Sequence, residues 1–476
     1  MLIANNIMKQ NIPNQINQTL NRLSPVRFFT ITALIFGSLF LLLTPPFQTP
    51  DEPVHFYRSY QVSEGIFSVQ QHGDKAGGEL PSSLLQTVNL AYTPDIRTRP
   101  DLKYPIDRTK QALHIKENPN ARIVYDISAT AYTPAISYAP QAIGITIARI
   151  FNSPPIVMMY IARFMVMCTW IVLMAFAISL MPKKKWALAA LALLPMLIFQ
   201  AASLSVDAVA YGVLAILFAL ILKYTTEQTH IDYKRAGLLA ALFTVVVLSK
   251  QVMFVFLLLS LILPGKSFNS VGDRVVKIAL MTIVPLLIFA AWMVIARSVD
   301  ITSSAVLHPI PGDQISNILH DPLSYLYVLF RTYFLSYGDG ITRSFIGSFG
   351  WLDTPMAEFF TGVGYITLAF LYICNYESAK TWLNSKAKLL IALAGVAYFI
   401  GVTTAIYVFY DPVKYKSVIG LQGRYFVPVA MMLIPLLYGT WLKSKQTDYI
   451  KVAIVAPAFL LFMGVLTLVF RYYVVL

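Results

Sequence analysis

Apolar residues in this chain do not alternate with polar ones at the period of a strand or of an amphipathic helix; they gather in long runs. The first extends from Phe28 to Leu43 between Arg27 and Thr44. Ten more lie near 156–181, 186–202, 208–222, 236–249, 251–264, 275–296, 358–375, 387–409, 425–441 and 450–470. A helix needs about 20 apolar residues to cross the hydrocarbon of a bilayer, so the pattern predicts an all-α polytopic membrane protein. About eleven spans are expected, within a range of ten to thirteen. The runs 236–249 and 251–264 are individually short and leave two readings: one long tilted helix, or two crossings with Lys250 at the turn. Residues 1–24 are rich in Asn and Gln and read as a cytoplasmic polar N-terminus ahead of a single membrane domain, 25–476. Phe28–Leu43 reads as a signal anchor, because Thr44-Pro45-Pro46 stands where a cleaved signal peptide would need small residues.

The charges decide the sides. With two crossings around Lys250, six segments face one side and each carries three basic residues. They are Lys9, Arg22 and Arg27; Lys183 to Lys185; Lys223, Lys234 and Arg235; Lys266, Arg274 and Lys277; Lys380, Lys386 and Lys388; and Lys443, Lys445 and Lys451. The positive-inside rule makes this side cytoplasmic and puts two long segments, 45–134 and 298–357, outside. The stretch 135–150 is apolar, yet counting it as a span would move Lys183 to Lys185 outward, so it is expected to be a re-entrant or interfacial helix. The expected arrangement is therefore a multi-pass membrane protein with its N-terminus in the cytoplasm and the long segments on the outer side.

Composition agrees: 57% of residues are hydrophobic and 13% charged, against about 25% charged in soluble domains. A formal charge of +14 could suggest nucleic acid, but loop asymmetry accounts for it, and no nucleic-acid partner is expected. Cys168 and Cys374 both lie in apolar runs, where a thiol behaves as a small hydrophobe; no disulfide or zinc site follows.

The outer segments carry the candidate chemistry. The first opens Pro45-Pro46-Phe47-Gln48-Thr49-Pro50-Asp51-Glu52-Pro53-Val54-His55-Phe56-Tyr57-Arg58, so two carboxylates sit at the membrane surface. Asp51 ahead of Glu52-Pro53 suits a helix N-cap, and an acid held there is equally placed to act as a general base on a hydroxyl. His55 and Arg58 follow on or near the same face. The stretch Tyr132-Thr133-Pro134-Ala135-Ile136-Ser137-Tyr138-Ala139-Pro140-Gln141 suits an interfacial helix start or the lining of a lipid entry, which makes Tyr132, Tyr138 and Gln141 substrate candidates. In the second outer segment, Arg343 and the run Gly350-Trp351-Leu352-Asp353-Thr354-Pro355 offer a cation, an indole and an acid. Gly420-Leu421-Gln422-Gly423-Arg424-Tyr425-Phe426 puts Arg424 at the start of an apolar helix, where free backbone N–H groups and a guanidinium both complement phosphate. Gln422 and Tyr425 flank it. Asp207 and Lys250 fall at short outer turns, and Arg149 and Arg163 in apolar segments; ionisable groups at such depth are functional candidates, and pairing among these four would equally satisfy them.

The chain has no GxxxxGK[ST], HExxH, GxSxG or CxxC, and no Asp-x-Asp seat for a metal-bound nucleotide sugar. Together, Pro-Asp-Glu-Pro, the Tyr-Thr-Pro stretch, Phe-Gly-Trp-Leu-Asp-Thr-Pro and Gly-Leu-Gln-Gly-Arg-Tyr-Phe resemble a bacterial family of polytopic membrane proteins. That family is related to the GT-C superfamily of polyprenyl-phosphate-sugar-dependent glycosyltransferases, and the likeness runs from about residue 28 to 470. The resemblance implies a GT-C-like fold and a catalytic acid in the first outer loop at Asp51, with Glu52 as alternate; it brings Arg424 and Arg343 into the site, and donor-phosphate binding follows from their chemistry. It implies a polyprenyl-phosphate-linked sugar as donor and a hydroxyl of O-antigen, another envelope glycan or a lipid as acceptor, with no cofactor, although a divalent ion held through waters stays compatible. No large soluble domain follows the last run, which makes peptide acceptors less favoured. Rival readings are a flippase for a lipid-linked sugar, a polysaccharide polymerase or ligase, and a scaffold.

Overall fold

The computed structural model describes residues 23–73, 75–299, 307, 309–376, 382–439 and 442–475. The expected N-terminal segment 1–24 therefore lies almost wholly outside the described residues. Every apolar run coincides with helical structure. Six helices are long and apolar enough to cross a membrane: Pro25–Leu43, Pro155–Leu180, Asp207–Glu227, Val271–Ala296, Ser385–Phe409 and Gln446–Tyr472. Their outward faces stay apolar, as on Val271–Ala296, where Val275, Ile283, Leu287 and Val294 are all exposed. Lipid can cover such a surface and water cannot.

The other runs are shorter or broken. Residues 186–202 form two helices, Lys185–Ala192 and Pro195–Ala201, and residues 186–202 are buried throughout. Pro195 interrupts the backbone ladder, and a break at this depth is tolerated because protein surrounds it. The run 251–264 adopts a 3-10 helix, Gln251–Ile262, after an extended Lys250. At about 2.0 Å per residue it is close in length to the 17-residue helix Tyr233–Ser249 before it. The Ile231 backbone N–H donates to the Ser267 carbonyl at 2.8 Å, so the chain goes out and comes back. That excludes the single long tilted helix and places Lys250 at the far turn.

The basic clusters gather at one end. Phe28 meets Trp186 at 5.8 Å between ring centroids. Lys184 Nζ donates to the carbonyls of Leu371, at 3.0 Å, and Cys374. Lys183 reaches the Tyr438 hydroxyl, Tyr438 packs on Trp382, and Trp382 Nε1 donates to Thr226. The parallel pair Cys374–Asn375 with Leu442–Lys443 closes the same end.

The other end corrects the all-α expectation. Residues 45–134 contain a three-stranded antiparallel sheet, Gln70–His72, Lys75–Pro81 and Arg122–Asp126, with Lys75–Pro81 central. The apolar runs could not announce it, because the strands are short and largely polar. Phe47, Phe56, Tyr60, Leu80, Leu84 and Tyr125 form a separate core that continues onto Ile145 and Met158. The segment 135–150 is a 3-10 turn and a helix, Ala139–Ile150, of 12 residues, about 18 Å long and too short to cross a bilayer. It packs along Pro155–Leu180 through Gly144, where a Cβ would meet the Ala162 Cα at 2.9 Å.

Candidate functional site

Glu52, Arg163 and Gln141 build the frame. Arg163 is fully buried and forks onto both Glu52 oxygens, with Nε donating at 2.8 Å. Its other N–H groups donate to the carbonyls of Leu41, Thr44 (2.8 Å) and Pro45, where the first helix ends. Glu52 also accepts from the Leu204 backbone at 3.3 Å, and Gln141 Nε2 donates to the Leu204 carbonyl at 3.2 Å. One ion pair therefore locks the 44–52 loop to the Leu204 turn that precedes Asp207. Glu52 is committed to this role and buried at 1% exposure, which removes it as the alternate proton acceptor.

Asp51 is the opposite case. It precedes the helix Glu52–Ser63, but its side chain makes no capping hydrogen bond. Its backbone sits in the left-handed region at φ 59°, and its side chain is exposed. Phe47, four residues earlier, has φ 62°. A non-glycine residue there costs of order 1 kcal/mol, and such strain concentrates at functional sites. The capping expectation fails, and the carboxylate is left facing outward. Its charge reaches His55, Tyr138, Tyr410 and Tyr425.

His55 Nδ1 lies 2.8 Å from the Tyr138 hydroxyl. Burial lowers the His55 pKa below the usual histidine value against the pull of Asp51, Asp207 and Glu52, so the ring is neutral at pH 7. Burial raises the Tyr138 pKa, so its hydroxyl keeps its proton.

Beyond His55 lies a cluster that the sequence showed only as scattered charges. Asp207 opens the helix Asp207–Glu227, and its Oδ1 takes Lys250 Nζ at 2.6 Å. Arg424 Nε is 3.5 Å from Asp207 Oδ2, and neither of these buried atoms has a hydrogen bond among the described residues. Lys250 also donates to the Tyr211 hydroxyl at 3.0 Å and lies 4.7 Å from the Tyr425 ring centroid. Two cations against one carboxylate leave a surplus positive charge in a largely buried place, which an anionic ligand would neutralise. Arg424 is set there by Gly423, whose N–H donates to Ser344 Oγ at 2.8 Å. A Cβ at Gly423 would collide with the Ile341 carbonyl oxygen and the Phe345 backbone. Nearby, Asp411 is buried and accepts from the Ile419 N–H; burial pushes its pKa up to about 7.

The structure thus brings together Asp51, His55, Tyr138, Gln141, Arg424 and Tyr425, with Gln422 beside Gly423. It does not bring in the rest. Arg343 pairs with Asp339 at 2.9 Å and with Glu358 at the surface. Arg58 is buried and donates to Gln61, Ile66 and Phe67 at the end of its own helix. Trp351 lies under Arg97 at 4.2 Å and donates to the Phe47 carbonyl, while Asp353 accepts from the Trp351 N–H and pairs with Arg471. Trp351 fastens the second outer segment to the first, and Asp353 ties it to the last helix. The Tyr132 carbonyl accepts from Trp292. Of the four ionisable groups singled out at the apolar runs, Asp207 and Lys250 pair with each other, whereas Arg163 is taken by Glu52 and Arg149 by Glu64 and Glu117. Asp207 and Lys250 were detectable as ionisable residues at the ends of apolar runs, whereas Tyr211 and Tyr410 carry no such signal.

A family model described as "Predicted membrane protein (DUF2142)" matches residues 34–433. The chain belongs to that family of membrane proteins. No curated protein and no solved structure matches it.

Proposed function

We propose that this member of the family is a GT-C-type inverting glycosyltransferase with about eleven spans in a bacterial inner membrane. It moves a sugar from a polyprenyl-phosphate carrier to a hydroxyl of an envelope glycan or lipid on the extracytoplasmic side. The observation that carries the reading is Asp51: an exposed, uncapped carboxylate held in a strained backbone at one end of the helices, beside a net-positive cluster. In the reaction, the acceptor oxygen bonds to the anomeric carbon as its proton passes to Asp51, and the carbon–oxygen bond to phosphate breaks on the opposite face. Arg424 and Lys250 carry the charge surplus that the departing lipid phosphate needs. Tyr138, His55, Gln141, Gln422 and Tyr425 would contact the substrates, and exposed Ile136 and Ile143 would offer the carrier tail an apolar flank.

The test is purified protein with a panel of polyprenyl-phosphate sugars and glycan or lipid acceptors, read by mass spectrometry. A general base contributes about 10²- to 10⁴-fold, so Asp51→Asn should insert normally and lose turnover by that factor. Near-normal turnover in that variant, or no transfer from any donor, removes the proposal. A flippase for the same lipid-linked sugar is the second reading, favoured by the break at Pro195 between two buried helices. The break is apolar and the polar groups sit at one end, so glycosyl transfer is preferred; transbilayer movement of the donor without a new glycosidic bond would reverse that order.

A further inference from the structure

At the opposite end from Asp51, a cavity of about 460 Å³ opens between the end of Asp207–Glu227, the Leu263–Lys266 turn and the start of Ser385–Phe409. Lys266, Arg274 and Lys386 line it together with Trp382 and Thr225, and among the described residues no carboxylate does. Asp232 and Asp273, at the same end, are taken by Arg235 at 3.4 Å and Lys277 at 2.8 Å. None of the three lining cations makes an ion pair among the described residues. Arg274 donates to the carbonyls of Leu261 and Leu263, at 3.5 and 3.4 Å, and lies over the Phe268 ring; among the described residues its Nε and the Thr225 hydroxyl are buried without a hydrogen-bond partner.

Basic residues at this end are expected from topology alone, but topology asks only that they be on that side. Lysines serving that purpose extend into water with their stems along the apolar surface. Here three cations line one open pocket without an acid, Lys266 and Lys386 at its exposed mouth and Arg274 half-buried, and a bound anion would relieve their mutual repulsion. Leu261 in its wall is 37% exposed, and Leu389 and Val271, on the helices that begin beside it, are exposed apolar residues as well. A group seated in the cavity would therefore lie level with lipid headgroups, with acyl chains along the helices.

We infer that this cavity binds a phosphate group, carried by an anionic lipid headgroup or by a water-soluble phosphate. Lys266 and Lys386 supply the charge, and Arg274 and Thr225 the hydrogen-bond donors. The experiment uses the full chain in detergent, with phosphatidylglycerol, phosphatidylcholine and inorganic phosphate as probes, read by native mass spectrometry and thermal shift. A basic side chain near a headgroup is worth about fivefold in affinity, so Lys266→Gln with Lys386→Gln should weaken phosphatidylglycerol about 30-fold. That variant keeps Arg274 and its carbonyl contacts. Lys414→Gln with Lys416→Gln, which removes the same charge from exposed positions elsewhere, should leave binding unchanged. Selective binding of phosphatidylglycerol over phosphatidylcholine supports the lipid source, and equal protection by inorganic phosphate supports the soluble one. Equal retention of phosphatidylglycerol by the wild type and the Lys266/Lys386 variant, or equal loss in the Lys414/Lys416 variant, overturns the inference.

Discussion

Replacing Arg163 by methionine tests the frame that presents Asp51. The guanidinium and the Glu52 carboxylate are both buried, at 0% and 1% exposure. With charge centres about 4 Å apart and an effective dielectric constant near 20, their attraction is about 4 kcal/mol. The methionine side chain would fill the space and leave Glu52 with one remaining donor, the Leu204 N–H at 3.3 Å, while the Leu41 and Thr44 carbonyls lose the arginine donors and Pro45 keeps the Gln48 N–H. Orphaning one partner of a buried pair costs about 3–5 kcal/mol, and Arg163→Met should fall in that range. Glu52→Gln should cost less, about 2 kcal/mol, because Arg163 keeps three carbonyl acceptors. The double variant should lie close to Arg163→Met alone, a coupling of about 2 kcal/mol. The assay is denaturant or thermal unfolding in detergent micelles, with tryptophan fluorescence as readout. A loss below about 1 kcal/mol for Arg163→Met, a larger loss for Glu52→Gln, or additivity in the double variant would refute the reasoning.

Three further outcomes follow from the same geometry. Asp51→Gly relieves the left-handed backbone at the cost of a floppier unfolded chain, so stability should hold or rise by up to about 1 kcal/mol while transfer activity is lost; a clear loss of stability would return Asp51 to a capping role. Gly423→Ala forces a Cβ into the Ile341–Phe345 backbone and should cost about 1–3 kcal/mol and weaken donor binding through Arg424; a wild-type melting curve and donor affinity would contradict that placement. Asp411 has a folded pKa raised to about 7, so the unfolded chain ionises first and stability falls as pH rises from about 4 to 7. Asp411→Asn should therefore melt higher than the wild type at pH 8 and alike at pH 4, as a melting series across that range would show.

How much was legible in the sequence depends on the range of the interaction. Apolar runs fix which residues enter lipid, because burial in hydrocarbon needs only local composition. Three basic residues per connecting segment told which helix ends lie together, and the contacts among Lys183, Tyr438, Trp382 and Thr226 join four of those ends. Pro-Asp-Glu-Pro and Gly-Arg-Tyr were conspicuous as polar breaks beside apolar runs. Which of two adjacent acids is free was not local information. Glu52 is consumed by an arginine 111 positions away, and Asp51 is released by a backbone angle that its sequence suits no better than an ordinary cap.

The sheet at the Asp51 end, the 3-10 return after Lys250 and the Asp207–Lys250–Arg424 cluster were settled only by tertiary packing. Each requires segments brought together across the fold, and ion pairs have no period by which a chain could announce them. The sequence by itself determined a membrane chain with its charged ends sorted. The three-dimensional arrangement decided which charges cancel and which are left over, since a buried charge takes whatever partner the packing of distant helices puts within reach.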